Sequence, residues 1–307
     1  MQNLPERFTI PAGWQWTDRL ETRPGQFLRL GWAAPENPRA CIYILPGLSE
    51  YAEKYFEVAH DLLRRDFALA CIDWRGQGLS WRAGDRARRH HDDFALDVAD
   101  AEAFIARAPL PANLPRIMLA HSMGGQIGLR LLHDRPDLFV AAVMTAPMLG
   151  LPVPDWAGGP LAETLCAIGM DESYAPGNGP WSAERMTLGL RLLTSDPERA
   201  AMQKYWMTHK PELRMGGVTM QWVRAAFRTM RLAAQPDYLA SVHTPCLMVR
   251  SGADAVIANP AIDRAARYLP NVEILPVPGA LHEVMMERDQ YRDLFWAGFE
   301  AFTARFI

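Results

Sequence analysis

One serine of the sequence lies in the local setting that a catalytic nucleophile requires. Residues 119–128 read LAHSMGGQIG, with an apolar run before Ser122 and a run with helical spacing after it. Such a strand–turn–helix segment is a nucleophile elbow, in which a tight turn presents the central side chain at the edge of a sheet. Small residues two positions before and after it, here Ala120 and Gly124, let the two backbones approach each other. The segment therefore predicts Ser122 as a nucleophile.

A serine nucleophile needs a base and a carboxylate that orients the base. In folds with this elbow, the acid and the histidine follow the serine in that order. Asp254 comes shortly after the apolar run CLMVRSG, and His282 follows the run VEILPVPG. Taken alone, Asp254 reads as a turn aspartate and His282 as a capping or surface histidine. Their order and their positions favour a Ser122–Asp254–His282 triad, with His121 of the elbow pointing away and serving packing and hydrogen bonding.

Acyl transfer also requires hydrogen-bond donors for the negative oxygen that develops on the substrate. The backbone N–H of Met123 is one candidate, because it follows the nucleophile at a predicted helix N-terminus. The second candidate is the N–H of Leu48, in the loop ILPGLSEYAEKY after the first long apolar run. Gly47 permits close approach of the backbone there. We expect these two N–H groups to form an oxyanion hole.

Short apolar runs alternate with longer amphipathic runs over most of the chain. The segments RACIYILP, FALACID, PRIMLA and FVAAVMTA predict buried strands, and the runs between them predict helices. This alternation is typical of a mostly parallel sheet with helices on both faces. It stops at residue 148 and resumes after residue 237, with prolines, glycines and helical stretches between. We predict an α/β core from residues 1–147 and 238–307, with residues 148–237 inserted as a helical lid.

Composition and charge exclude several classes of function. Lys and Arg number 32 against 35 Asp and Glu, a net charge of −3 that does not suit binding to nucleic acid. The four cysteines include no CxxC pair and no HExxH motif occurs, so we expect neither a metal nor a cofactor. The N-terminal residues lack the features of a secretory signal, and no uncharged run is long enough to span a membrane. We therefore expect a cytoplasmic protein.

Several segments resemble one group of α/β-hydrolases, the monoacylglycerol lipases and bacterial lysophospholipases. Residues 46–55, PGLSEYAEKY, are similar to the HGxxEHxxRY loop of that group, and residues 73–80, DWRGQGLS, resemble its D-x-R-G-H-G-x-S loop. With the elbow and the segments SGADAV and GALHEV, the resemblance covers nearly the whole chain. It implies the α/β-hydrolase fold, the same triad and the same oxyanion hole. Glu50 and Tyr55 match family positions that support the oxyanion loop.

Departures from the family pattern occur next to the oxyanion loop and in the elbow. Pro46 replaces the histidine before Gly47, Tyr51 replaces the histidine after Glu50, and Ala120 replaces the first glycine of the elbow. Because the oxyanion donor is a backbone group, Pro46 is compatible with a working hole and is expected to shift the loop. Ala120 adds one methyl group, which the elbow tolerates.

The resemblance implies a serine hydrolase that cleaves carboxylic esters of single-chain lipids, either lysophospholipids or monoacylglycerols, through an acyl-enzyme. The alternatives are a serine aminopeptidase or other small-ester or amide hydrolase, and a non-catalytic binding protein on the same scaffold. The expected partner is a small-molecule acyl ester, with transient contact to a lipid surface, and the oligomeric state stays open.

Candidate substrate-binding residues are Glu50, Tyr55, Trp222 and Phe227. Aromatic side chains and methionines of the insertion suit the wall of an acyl site, because they pack adaptably against alkyl chains. The alternative interpretation is that these side chains only pack the lid onto the core.

Arg224, Arg228 and Arg231 recur at three- and four-residue spacing in the insertion and share one helix face. The first interpretation is the solvated surface stripe of an amphipathic helix. The alternative is that these arginines meet the phosphate of a lysophospholipid or an anionic lipid surface.

Overall fold

An eight-stranded sheet forms the centre of the protein, which a computed structural model describes for residues 4–83, 88 and 92–307. The strands are β1 (Gln15–Arg23), β2 (Gln26–Ala33), β3 (Ala40–Leu45), β4 (Phe67–Ile72), β5 (Arg116–His121), β6 (Ala141–Thr145), β7 (Cys246–Ser251) and β8 (Val272–Val277). Their spatial order is β1-β2-β4-β3-β5-β6-β7-β8. Strand β2 pairs antiparallel with β1 and β4, and all other pairs are parallel. The predicted mostly parallel sheet is confirmed.

Helices cover both faces of this sheet. They are α1 (Phe56–Leu63), α2 (Ala95–Arg107), α3 (Met123–Asp134), α4 (Asp155–Ala167), α5 (Ala183–Leu193), α6 (Pro197–His209), α7 (Met220–Ala233), α8 (Pro236–Ala240), α9 (Asn259–Ala265) and α10 (Asp289–Thr303). Side chains of β3 alternate between two apolar cores: Tyr43 and Leu45 join the core with α2, α3 and α7, whereas Ile42 and Ile44 join the core with α1 and α10. Burial on both faces explains why the strand reads as an uninterrupted apolar run.

The secondary structure differs from the sequence-based expectation in three places. The β1–β2 hairpin was not anticipated, because its strands mix polar and apolar residues instead of forming an apolar run. The helical spacing of residues 53–65, EKYFEVAHDLLRR, predicts a helix from Glu53, whereas the structure has a 3₁₀ turn at Ala52–Tyr55 that becomes α-helical at Phe56. Residues 92–108 predict a helix with Asp92 and Asp93 in its first turn, whereas the helix begins at Ala95, whose N–H donates to Asp93 Oδ1 at 2.8 Å. That aspartate therefore precedes the helix and does not lie in its first turn.

The chain between β6 and β7, here called the insertion, carries helices α4 to α8. The buried face of α7 joins the same apolar core as α2 and α3, so the insertion packs directly onto the sheet layer. The end of α5 reaches the loop that bears His282, where Glu283 N–H donates to Leu193 C=O at 2.9 Å. The boundaries 148 and 237, and the role of a lid, stay predictions. Among the described residues, no helix combines the length and the apolar character needed to cross a membrane.

Candidate active site

Ser122 lies at the tight turn between β5 and α3. Its φ is +51°, a conformation that residues with a Cβ rarely adopt. The turn is held by the Ser122 N–H, which donates to Thr145 C=O of β6 at 3.0 Å. A Cβ on Gly124 would lie 2.1 Å from Leu45 C=O, so only glycine permits this approach of α3 to the end of β3. Ala120 is fully buried in β5, and the elbow forms with its methyl group in place.

The structure brings Ser122, His282 and Asp254 into one hydrogen-bonded chain. Ser122 Oγ lies 3.0 Å from His282 Nε2, and His282 Nδ1 lies 2.7 Å from Asp254 Oδ2. The second oxygen of Asp254 accepts from the N–H groups of Val256 at 2.8 Å and Ile257 at 3.1 Å. Both carboxylate oxygens are thus fixed, and the imidazole is oriented with Nε2 facing the serine.

The carboxyl group of Asp254 is held in its charged form. Burial alone would raise its pKa, but the hydrogen bond and charge of His282, followed by the two backbone N–H donors, bring the pKa below the ordinary aspartate value. The group therefore stays an anion at neutral pH. An anion at Nδ1 keeps the proton on that nitrogen and stabilises the imidazolium that forms when Nε2 takes the serine proton.

The two predicted oxyanion donors belong to different elements. Met123 is the first residue of α3, and Leu48 lies in the loop after β3. The backbone N–H groups of the residues before and after Leu48 are both hydrogen-bonded. Gly47 N–H donates to Glu50 Oε2, and Ser49 N–H donates to Gln77 Oε1 at 2.9 Å. Within the described part of the chain, no acceptor is found for the Leu48 N–H. This arrangement leaves that N–H available for a substrate oxygen.

A buried ionic cluster, here called the loop cluster, lies beneath the oxyanion loop and consists of Glu50, Lys54 and Glu283. Lys54 Nζ lies 2.5 Å from Glu50 Oε1 and 2.5 Å from Glu283 Oε1, and all three side chains are at most 5% exposed. Burial raises the pKa of Glu50, but the charge of Lys54, then that of His121, and hydrogen bonds from Lys54 and Tyr55 lower it to about 2. The cluster ties the oxyanion loop to Glu283, the neighbour of His282.

His121 lies between the loop cluster and the triad. Its ring centroid is 4.8 Å from that of His282, and its Nδ1 lies 2.9 Å from Thr145 Oγ1. Burial lowers the pKa of His121 to about 4 despite the nearby charge of Glu50, so the ring is neutral at pH 7. His121, Glu50 and Glu283 also group three potential metal-ligand atoms within 4.8 Å of one another. Lys54 already supplies a positive charge to both carboxylates of that group.

A cavity of about 670 Å³ adjoins the oxyanion loop. Leu48, Ser49 and the loop cluster form one side of it. The opposite side comes from the insertion, with Trp181, Met186, Leu188, Leu190, Leu193, Met207 and Met215 among its apolar residues. The cavity therefore combines an apolar wall with a polar side next to a predicted oxyanion donor.

The four predicted substrate-binding residues are placed differently. Glu50 lines the cavity, whereas Tyr55 is fully buried behind it and donates from its hydroxyl to Glu50 Oε2 at 2.6 Å. Trp222 packs against Phe94 with ring centroids 5.8 Å apart, inside the core between α2 and α7. Phe227 lines a separate cavity of about 430 Å³ beside Leu149 and Arg231. Packing of the insertion onto the core accounts for the burial of Trp222, and substrate contact by these residues stays a prediction.

Sequence reasoning missed three polar residues that hold these loops: Gln77, Lys54 and Gln203. Gln203 Nε2 of α6 donates to Glu283 Oε2 at 2.8 Å and connects the insertion to the histidine loop. Lys54 stands at the arginine position of the HGxxEHxxRY pattern, which is a signal that could have identified it. No local pattern marks Gln203, because its partner lies 80 residues away in the chain.

Comparisons with known proteins identify the family and the fold. The Hydrolase_4 family model, described as serine aminopeptidase, S33, matches residues 36–289. Lysophospholipase L2 of Escherichia coli is 30% identical over 286 residues, which cover 88% of this chain and 81% of that protein. Monoacylglycerol lipase of Mycolicibacterium smegmatis is 26% identical, over 84% of this chain and 86% of that protein.

A similar solved structure is that of a soluble variant of monoglyceride lipase from Saccharomyces cerevisiae, determined with a substrate analogue. It is 16% identical to this chain, covers 99% of both chains and aligns with a TM-score of 0.75. This likeness confirms the predicted fold. The chain belongs to the Hydrolase_4 family and is an ester hydrolase with the α/β-hydrolase fold.

Proposed function

We propose that the chain hydrolyses esters of single-chain lipids, either lysophospholipids or monoacylglycerols, through an acyl-enzyme on Ser122. The observation that carries the proposal is the chain of contacts from Ser122 through His282 to Asp254. A cavity of about 670 Å³, whose lining includes Leu48 and Glu283, the residue after His282, adds to it. The names of the E. coli and M. smegmatis relatives support the substrate class.

The geometry supports a two-step mechanism. His282 Nε2, 3.0 Å from Ser122 Oγ, takes the serine proton as the oxygen attacks the ester carbonyl. The N–H groups of Leu48 and Met123 stabilise the tetrahedral oxyanion. His282 then returns the proton to the leaving alcohol, and a water molecule repeats the sequence on the acyl-enzyme. Asp254 stays charged throughout and holds the imidazole.

The cavity is the proposed acyl site, and the insertion is its proposed lid. Its volume falls within the range of roughly 300–1,000 Å³ that is usual for small-molecule sites. Trp181, Met186 and Leu190 offer an apolar wall for an alkyl chain. Contact with a lipid surface belongs to the same proposal, and it is supported by the exposed apolar side chains of Trp156, Leu161 and Ile168 on or next to α4.

The family description favours a second candidate, a serine aminopeptidase. Such an enzyme needs an unpaired carboxylate to bind the substrate's ammonium group. Beside the predicted oxyanion donor, Glu50 and Glu283 line the cavity, but Lys54 already binds both; Glu184, on the insertion side of the cavity, is exposed to solvent. On the insertion, Glu163 pairs with Arg228 at 2.7 Å. These pairings favour the ester over the aminopeptide as substrate.

The test compares four substrates: lysophosphatidylcholine, 2-monoacylglycerol, p-nitrophenyl esters of increasing chain length, and aminoacyl arylamides. We expect fatty acid release from at least one lipid, labelling of Ser122 by a fluorophosphonate, and loss of both in Ser122→Ala. Removal of a serine nucleophile costs on the order of 10⁶-fold in kcat. Ser241→Ala is the matched control, since the hydroxyl of that serine donates to Tyr238 C=O at 2.8 Å and does not contact the triad. Cleavage of the arylamides alone would overturn the lipid assignment.

We also propose a cytoplasmic location, because the cysteines form no disulfide bonds. All four thiols, those of Cys41, Cys71, Cys166 and Cys246, are buried and unpaired. Proteins of oxidising compartments more often use their cysteines in disulfides. Fractionation of the native host, with the activity recovered in the cytosolic fraction, is the expected result, and recovery in a secreted fraction would contradict it.

A further inference from the structure

The side chain of Gln77 is fully buried beneath the oxyanion loop. Its amide makes three hydrogen bonds to that loop. Oε1 accepts from Ser49 N–H at 2.9 Å, and Nε2 donates to Gly47 C=O at 2.9 Å and to Glu50 C=O at 3.3 Å. The bonded groups therefore lie on both sides of Leu48, the predicted oxyanion donor.

One of these bonds acts on the peptide group that carries the donor. The C=O of Gly47 and the N–H of Leu48 belong to the same planar trans peptide, in which they point in opposite directions. By holding the Gly47 C=O, Gln77 fixes the plane of that peptide and turns the Leu48 N–H away from itself. A rotation of this plane would misdirect the N–H without moving any atom of the triad.

The oxyanion loop requires such support because its backbone is strained. Ser49 has a φ of +61°, in the left-handed region that is unfavourable for a residue with a Cβ. Its N–H is bound by Gln77, which stabilises this conformation. The loop is thus held in its shape by contacts from outside itself.

Gln77 is itself held in place by contacts within its own loop, residues 73–80. Its backbone N–H donates to Trp74 C=O at 2.8 Å. The carboxylate of Asp73 accepts from Leu79 N–H at 2.8 Å and from Arg29 Nε at 2.7 Å, and thereby closes the loop around Gln77. A Cβ on Gly78 would lie 2.0 Å from Asp73 Oδ2, so this turn is built for a glycine.

We propose that Gln77 is the positioning residue of the oxyanion hole, which sets the orientation of the Leu48 N–H. The proposal rests on the proposed function, because it assumes that this N–H meets the substrate oxygen. The role requires a group that both donates and accepts. An amide does so, a carboxylate only accepts, and an imidazole has one donor and one acceptor.

The test uses the variants Gln77→Met, Gln77→Glu and Gln77→His, with Gln126→Met as matched control. Gln126 is equally buried, but its amide donates to Thr229 of α7 and does not contact the oxyanion loop. With a short p-nitrophenyl ester, we expect Gln77→Met and Gln77→Glu to lower kcat by roughly 10²-fold, as the loss of one oxyanion donor does, with KM unchanged. Gln77→His should recover part of kcat, and Gln126→Met should keep it.

A second measurement separates positioning from folding. The affinity for a trifluoromethyl ketone, which mimics the tetrahedral intermediate, should fall by the same factor as kcat/KM. Thermal unfolding of each variant shows whether it is folded. If Gln77→Met does not fold, the comparison of Gln77→Glu with Gln77→His still tests the proposal. Full kcat in a folded Gln77→Met or Gln77→Glu variant would overturn the proposal, as would a loss confined to KM. Failure of the proposed function is distinct from this, because the wild-type protein would then fail to cleave the ester.

Discussion

Charged side chains occupy opposite environments in two regions of this molecule. In the loop cluster, Glu50, Lys54 and Glu283 are at most 5% exposed and share one ammonium group. On the insertion, Arg228 of α7 pairs with Glu163 of α4 at 2.7 Å, with side chains 54% and 36% exposed. We call this second group, together with Arg231 and Asp155, the surface cluster; Arg231 lies 3.9 Å from Asp155. Both clusters pair carboxylates with basic side chains, through a lysine ammonium group in the first and arginine guanidinium groups in the second.

The difference in burial decides what each cluster does. Exposed ion pairs contribute about 0–1 kcal/mol because water and salt screen them. A buried pair gains little over apolar packing but is strongly destabilised when one partner is removed. The loop cluster therefore fixes the oxyanion loop and the histidine loop relative to each other, whereas the surface cluster adds little to either stability or geometry.

The largest effect is expected at the triad, next to the loop cluster. Asp254→Asn should lower kcat on the order of 10⁴-fold, because an amide no longer holds the proton on Nδ1 of His282. Asp155→Asn, which alters a carboxylate of the surface cluster, is the control and should retain activity. Steady-state kinetics with a p-nitrophenyl ester give both values. Comparable activity in the two variants would remove Asp254 from the triad.

The next effect concerns stability. Lys54→Met leaves two buried carboxylates without their shared cation, and we expect a loss of about 3–5 kcal/mol in the free energy of unfolding. Lys210→Met is the matched control, because Lys210 is 42% exposed and its partner Glu53 keeps the bonds from Arg29. It should cost less than about 1 kcal/mol. Urea denaturation measures both, and equal losses would contradict the contrast.

The same contrast explains what the sequence could predict. Ser122, Asp254 and His282 each follow a strand of mostly apolar sequence, and the parallel sheet brings strand ends to one edge, so local patterns were sufficient to place them together. The loop cluster was not predicted, because Lys54 and Glu283 meet across 229 residues. No periodicity in the chain records such a pairing.

The insertion was harder to interpret for a related reason. An aromatic residue on an amphipathic helix can face either a substrate or a neighbouring helix, and the spacing is the same in both cases. The structure buries Trp222 against Phe94, in agreement with the interpretation that such side chains pack the insertion onto the core. The β1–β2 hairpin was missed because its alternation is irregular: the pairing register shifts between Thr17 and Leu20.

A smaller effect is expected in the pH dependence of stability, through His121. Its pKa in the folded protein is about 4, against 6.5 for an ordinary histidine. Between these values the unfolded chain binds more protons than the folded protein, so the free energy of unfolding falls as the pH falls from 6.5 to 4. A shift of this size corresponds to about 3 kcal/mol.

His121→Asn removes this titration and keeps a polar group for Thr145. The loss of stability between pH 7 and pH 4 should therefore be smaller in the variant than in the wild-type protein, by about 3 kcal/mol. Urea denaturation at the two pH values measures the difference. Glu50, with a pKa of about 2, stays charged in the folded state over this range in the wild-type protein. Parallel losses in both proteins would show that His121 is accessible to protons.

The smallest effect is expected from the arginines of α7. Arg228 and Arg231 pair with acidic residues of α4 or lie close to them, Arg224 donates to Gln221, and none of the three lines the cavity beside Leu48. Replacing all three by glutamine should therefore leave kcat/KM for both lysophosphatidylcholine and a neutral p-nitrophenyl ester unchanged. The free energy of unfolding should change by no more than about 1 kcal/mol per pair, and less at high salt. The opposite result would be a kcat/KM that falls only for the lysophospholipid, both in the variant and in the wild-type protein at high salt. It would assign the arginines to binding of the phosphate group, and the exposed cluster would then have a functional role of its own.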